Sequence, residues 1–571
     1  MSNPLKSILL WVAPLAFLVA FYFYPLGSIL HLSFARSDTG TLTPFLEAIT
    51  SSRVQRVLGF TIWQAILSTF LTLLVGLPGA YLLARYDFRG KSLLRALTGI
   101  PFVLPTLVVA AGFNALLGPR DWVNVVLMSL FDLTEPPIHF INTLTAILVA
   151  HIFYNTTIVL RLVADFWSHL NPRLGQAAQV LGAGSWKVLR HVTLPLLMPA
   201  ITAAALLVFI FDFTSFGVIL VLGGPRFATL EVEIYYQTIS LFNLPLAAVL
   251  SVLQLGCTLA LTVVYTRLAS RLSRPLPLRS QRYTQKRLLT WRSRLLATVT
   301  VGFLLALLTT PLIALAARSF INLGPARTRG DTGLITLPQG FTLTFYRELA
   351  FHSRESIFYA PPTTAISISL GYAAVTIILA LALGTPAAWA LARDSQSPLN
   401  RALDPFLMLP LGTSAVTLGL GFIVALAHPP LDLRASPLLV PIAHTLVAFP
   451  FVVRSLTPAL RSIQPRLRQA AAVLGATPRQ VLRYVDLPLV GRALFVAATF
   501  AFTISIGEFG ATALISRPEY PTVPVAIYRF LSRPGALNYG QALALSTILM
   551  GVTLVGMLVI ERFRLADVGE F

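Results

Sequence analysis

Long apolar runs alternate with short polar segments along the whole chain. Runs of about 20 apolar residues, the length that crosses a bilayer as a helix, fall near 8–33, 57–84, 93–117, 139–161, 196–222 and 243–266. A second set falls near 295–319, 363–392, 402–423, 438–460, 489–515 and 541–561. The pattern predicts an all-α polytopic membrane protein of about twelve spans, because hydrocarbon offers no water to an open backbone. Pro78, Pro101, Pro105, Pro386 and Pro410 lie inside these runs and predict kinks. The first run, Ser7–Phe34, is too long for a signal-peptide core and is expected to stay as a span.

Composition supports lipid as the main solvent. Only 11% of the 571 residues are charged and 56% are hydrophobic, with mean hydropathy +0.76. Soluble domains carry about 25% charged residues. The net charge of +21 does not point to nucleic acid, since the cations sit in short connections between spans. Arg85, Arg89, Lys91 and Arg95 follow span two, and Arg161, Arg173, Lys187 and Arg190 follow span four. A basic segment over 267–294 follows span six, further clusters follow span ten, and Arg562 and Arg564 follow span twelve. Every second connection is basic, which by the positive-inside rule puts those connections and both termini in the cytoplasm. The single cysteine, Cys257, excludes an internal disulfide and a thiolate metal cluster.

The chain repeats itself. PRLGQAAQVLGAGSWKVLRHVTLP begins at Pro172 and PRLRQAAAVLGATPRQVLRYVDLP at Pro465, an ungapped offset of 293 with 16 of 24 positions identical. The same offset relates His151 to His444, Phe216-Gly217 to Phe509-Gly510, and Tyr235 to Tyr528. Upstream, Gly76 and Pro78 answer Gly384 and Pro386 at a shifted offset. Self-similarity of this extent marks a duplication. Six spans per half give both halves the same orientation, as in parallel repeats. The predicted organisation is a first half over 1–266, a cytoplasmic linker over 267–294 and a second half over 295–571.

The repeated string reads as a helix, a tight turn, a second short helix and a break. Gln176-Ala177-Ala178 and Gln469-Ala470-Ala471 open good helix-forming runs. Gly182 and Gly475 suit the left-handed position that closes a helix. Thr477-Pro478 restarts a helix as N-cap and first residue. Leu194-Pro195 and Leu487-Pro488 are expected to stop it before the next span.

This string resembles the EAA loop of ABC-importer permeases, at the family spacing in both copies, and the resemblance covers nearly the whole chain. It implies the MetI-like permease fold as two parallel six-helix repeats in a bacterial or archaeal cytoplasmic (inner) membrane. It also implies two copies of an ABC ATPase subunit docked on the two loops, and a periplasmic or lipid-anchored solute-binding protein. By the resemblance, Gln176, Ala177, Ala178, Gly182, Leu194, Pro195, Gln469, Ala470, Ala471, Gly475, Leu487 and Pro488 couple the permease to the ATPases. Gln176 and Gln469 replace the family's Glu, which removes any ion pair from that position. The chain has no nucleotide site of its own. Gly90-Lys91-Ser92 lacks the earlier glycine of a P-loop, whose place Arg85 takes. ATP and magnesium are expected on the partner, with no cofactor, no metal and no catalytic residue on this chain.

Spans five and eleven resemble those of fused thiamine and ferric-iron permeases, with the balance slightly towards thiamine. Asp212 and Glu508 are acids within these spans. They either line the external mouth of a cation path, make helix-packing hydrogen bonds or sit at a solvated loop end. Phe216 and Phe509 are candidates for the same path, although aromatic residues on a span more often serve packing. His151 and His444 are expected to form buried hydrogen bonds between helices rather than to bind a metal or relay protons. The competing class is a self-sufficient ion-coupled secondary transporter, which leaves the duplicated loop unexplained.

Overall fold

The computed structural model describes residues 4–34, 43–272, 285–323, 327–330, 333–336, 340–350, 361–393, 397–427 and 432–563. Parts of the predicted linker and of the polar loop over 322–362 therefore lie outside the described residues. Ten helices among those described are long and apolar enough to span a membrane, or twelve when two bent pairs are each taken as one span. The all-α polytopic reading holds. In chain order the straight spans are Leu9–Phe34 (one), Ser52–Arg85 (two), Leu144–His169 (four), Ser185–Phe213 (five), Leu244–Leu268 (six), Trp291–Phe320 (seven), Thr364–Arg393 (eight), Leu439–Arg461 (ten), Pro478–Gly507 (eleven) and Ala536–Ile560 (twelve).

Spans three and nine are broken outright, where Pro101, Pro105 and Pro410 predict kinks within single crossings. Span three is Lys91–Val103 followed by Thr106–Phe131, bent by 108°. Span nine is Pro398–Gly412 followed by Ala415–Ala425, bent by 96°. The two breaks occupy equivalent positions, since Pro101 answers Pro410 and Gly112-Phe113 answers Gly421-Phe422 at one offset. At the first, Leu104 precedes Pro105 and takes an extended backbone, φ −72° and ψ 136°. A residue before proline is held out of the helical region in this way. At the second, Ser414 is extended, and its hydroxyl accepts from the N–H groups of Val416 and Thr417 at 3.1 and 3.3 Å. That N-cap satisfies donors that open any restarted helix. Pro78 and Pro386 instead lie inside unbroken helices, where neighbouring helices tolerate them.

Packing divides the chain into two compact units. Unit 1 comprises Met1–Ile49, Ile234–Leu255 and Pro325–Phe571, and unit 2 comprises Thr50–Glu233 and Gly256–Gly324. The duplicated halves and the packing units are cut differently, because each unit takes in the first span of the other half. In unit 1, span one is tied to broken span nine. Trp11 Nε1 donates to Asn400 Oδ1 at 3.1 Å, the Tyr22 and Thr413 hydroxyls lie 2.7 Å apart, and a Cβ at Gly421 would stand 3.0 Å from Pro25. In unit 2, span seven meets broken span three, and a Cβ at Gly112 would stand 2.9 Å from the carbonyl of Pro311. Within each unit the second and fourth spans of the half also approach closely. A Cβ at Gly76 would stand 2.7 Å from Val159, and one at Gly384 2.6 Å from Val452. Small residues allow such approaches between helices in lipid, where dispersion replaces the hydrophobic effect as the driving force.

Candidate functional site

The two repeated loops form nearly identical hairpins. The first helix is Pro172–Val180 in one and Pro465–Val473 in the other, with Asn171 Oδ1 accepting from Arg173 N–H at the start of the first. Each ends on the predicted glycine, Gly182 at φ +86° and Gly475 at φ +83°. Gly182 N–H donates to Gln179 O at 2.9 Å and Ala183 N–H to Ala178 O at 3.0 Å. Gly475 and Ala476 make the same pair of bonds to Ala472 and Ala471, both at 3.0 Å. This is the Schellman closure, which needs a left-handed residue at that point. A Cβ at either glycine would meet nothing within 4 Å, so glycine is required there for its backbone and not for space.

The turn pushes an apolar pair out of the protein. Val180 and Leu181 are 87% and 88% exposed, and Val473 and Leu474 both 87%. Gln176, Ala177, Gln469 and Ala470 are exposed beside them, with Ala178 and Ala471 half-buried. Trp186 is also exposed in the first hairpin.

The hairpins differ in how they are braced. Thr477 and Gln480 form a capping box, with Thr477 N–H donating to Gln480 Oε1 at 2.8 Å. Gly184 holds the equivalent place in the first hairpin and offers no side-chain cap. Arg468 Nε lies 2.7 Å from Asp486 Oδ1, and its guanidinium carbon lies 5.6 Å from the Trp389 ring. Gly175 and Thr193 replace that ion pair in the first copy.

The expected stop at Leu194-Pro195 and Leu487-Pro488 does not occur. The second helix of each hairpin runs on into its span, Ser185–Phe213 and Pro478–Gly507. It passes through a wide π turn, Leu189–Thr193 in one and Leu482–Asp486 in the other. Leu194 N–H bonds back to Leu189 O, and Leu487 N–H to Leu482 O. Proline lacks an N–H and its ring crowds the carbonyl four residues back. The extra residue of a π turn relieves both problems at the point where proline enters. The second helix of each exposed hairpin is therefore continuous with a span.

At the far ends of these spans the structure buries the candidate path residues. Asp212 is fully buried in unit 2 and Glu508 is 8% exposed in unit 1. Both carboxyl groups are enclosed by packed helices and hydrogen-bonded there. Asp212 Oδ1 accepts from Asn155 Nδ2 at 2.6 Å and lies 3.2 Å from His151 Nδ1, while its backbone carbonyl accepts from Gln64 Nε2 at 2.9 Å. Glu508 accepts from the N–H groups of Ala511 and Thr512 at 2.8 and 3.1 Å and from the Thr512 hydroxyl. Its Oε2 lies 3.3 Å from His444 Nε2. His151 and His444 thus sit in hydrogen-bonded clusters between helices, as expected of them. Phe216 and Phe509 are buried as well, and the Phe509 ring lies 5.5 Å from that of Tyr528. Tyr528 in turn lies 6.5 Å, edge to face, from its repeat mate Tyr235.

Comparison with known proteins agrees with this geometry. Residues 76–274 and again 380–564 match the family described as binding-protein-dependent transport system inner membrane component. The chain is 29% identical over 512 residues to the thiamine transport system permease protein ThiP of Brucella suis biovar 1 (strain 1330), covering 89% of this chain and 87% of that one. It is 27% identical over 494 residues to ThiP of Escherichia coli K12, with 85% and 86% covered. It is 26% identical over 541 residues to the probable ABC transporter permease protein y4fN of Sinorhizobium fredii, with 92% and 90% covered. Two copies of one family domain, two exposed hairpins and ten to twelve spans have a single explanation: the chain belongs to the binding-protein-dependent transport system inner membrane components, as a fused multi-pass inner-membrane protein that carries both copies.

Proposed function

We propose that the chain supplies both permease halves of an ATP-driven ABC importer that moves thiamine, with an ATPase subunit on each hairpin and an external binding protein supplying cargo. One observation carries this reading: each exposed Val-Leu turn leads, just past its closing glycine, into a helix that continues unbroken into a membrane span. Closure of two ATPases, each gripping one hairpin, would move spans five and eleven as levers, with no slack at the Leu-Pro positions. ATP and magnesium belong to the partners. The basic connections between spans support a cytoplasmic location for both hairpins and for the termini. Thiamine is favoured over ferric iron because the relatives named above include thiamine permeases, and none of them is named for iron.

The test is uptake of labelled thiamine into vesicles holding the permease with its ATPase and binding protein. Uptake is expected to need ATP and both partners, and to be unaffected by excess ferric iron. Thiamine uptake that persists without the ATPase would instead establish an ion-coupled secondary transporter.

A further inference from the structure

The two acids in spans five and eleven fall at different repeat positions, since Asp212 answers Ser505 and Glu508 answers Ser215. Around the histidines this mismatch becomes an exchange. In unit 2, His151 Nδ1 lies 3.2 Å from Asp212 Oδ1, and Nε2 lies 2.9 Å from Ser215 Oγ. In unit 1, His444 Nδ1 lies 2.8 Å from Ser505 Oγ, and Nε2 lies 3.3 Å from Glu508 Oε2. Each buried ring therefore has a carboxylate beside one nitrogen and a serine hydroxyl at the other, drawn from the same two positions in the opposite order, while His444 Nε2 also meets the Thr512 hydroxyl at 2.8 Å, where the first half has Ile219.

The same place in the fold is involved both times. Span five ends at Phe213, and the chain restarts as a short helix at Gly217–Leu222. Span eleven ends at Gly507 and restarts at Thr512–Ile515. One ring contact comes from the last turn of the span, Asp212 or Ser505, and the other from the break itself, Ser215 or Glu508. The histidine stands on the neighbouring span, four or ten. It thus pins the span end and the restarted segment to a third helix. A buried carboxylate inside a span costs several kcal/mol unless it is paired, so an acid kept at either position needs partners within reach.

We propose that His151 and His444 are latches that fix the bend at the far ends of spans five and eleven, each needing one acid and one hydroxyl whose places can be exchanged. Asp212, Ser215, Ser505 and Glu508 are then positioning residues. They hold the restarted segments to the spans that begin at the hairpins, so that movement at a hairpin reaches the far side. This rests on the importer reading above.

The test uses the assembled complex in vesicles, with thiamine as cargo, and measures the ratio of thiamine taken up to ATP hydrolysed. Asp212→Ser should lower that ratio by about three- to tenfold, in the range of coupled buried neighbours. ATP hydrolysis should be reduced less. Asp212→Ser with Ser215→Glu, which moves the carboxylate to the position it holds in the second half, should return the ratio to within about twofold. The reciprocal pair, Ser505→Asp with Glu508→Ser, should behave alike. A double variant no better than its single variant, at normal yield of complex, overturns the latch. So does an Asp212→Ser complex with the unmodified ratio. If a single variant does not assemble, recovery of yield in its double variant supports the latch and failure to recover refutes it. Lack of ATP-dependent uptake in the unmodified complex would sink the importer reading separately, and the yield comparison would still decide the latch.

Discussion

Gly182 and Gly475 are the residues at which one atom decides the local fold. Both hold left-handed φ in open space, so a substitution costs backbone strain of about 1–2 kcal/mol and no clash. Asparagine tolerates that region and β-branched residues do not. Uptake per inserted protein should therefore fall in the order Gly182→Asn, Gly182→Ala, Gly182→Val, and likewise at Gly475. Equal uptake in the asparagine and valine variants would show that the closure is irrelevant to coupling. Beside these glycines, Val180-Leu181 and Val473-Leu474 bury little of their surface in the chain. Changing either pair to serine should leave insertion and thermal stability unchanged while weakening retention of the ATPase in pull-down. The spacing of the repeated string already named the glycines. The exposure of the apolar pairs needed the structure, because a Val-Leu pair reads equally well as core.

Caps and breaks set the behaviour of whole elements. The second hairpin has a capping box and the Arg468–Asp486 pair, and the first has neither. Loss of a threonine N-cap costs about 1 kcal/mol. Removal of Arg468 strands Asp486, which is 4% exposed. Thr477→Ala and Arg468→Ala should thus each loosen the second hairpin, seen as faster hydrogen exchange over 465–486. Neither should alter exchange over 172–193. The π turns and the breaks in spans three and nine were not legible from hydropathy. A hydropathy window sums apolar character, whereas these features turn on where a single proline N–H is missing and which residue precedes it.

At the scale of the molecule the exchange of first spans governs stability. Span one packs in unit 1 and span seven in unit 2, so neither duplicated half holds its own complement of spans. Expressed alone, residues 1–284 and 285–571 should each be protease-sensitive and inactive. Expressed together they should restore uptake. Protease resistance of either half by itself would contradict the exchange. The close helix approaches make a second test. Gly76→Leu drives side-chain atoms into Val159 and should cost about 1–3 kcal/mol, read as a lower unfolding temperature in detergent. Adding Val159→Ala should recover part of that loss.

The sequence by itself determined the solvent, the number of apolar runs, the duplication and the glycine-closed hairpins, because each depends on local pattern or on a repeat within the chain. Only the tertiary structure decided what meets across distance. It buried Asp212 and Glu508 against His151 and His444, made one helix of the second arm of each hairpin and its span, and placed the first span of each half in the opposite unit. A carboxylate in an apolar run has the same local sequence whether it faces water or a histidine on the next helix, and only packing distinguishes the two.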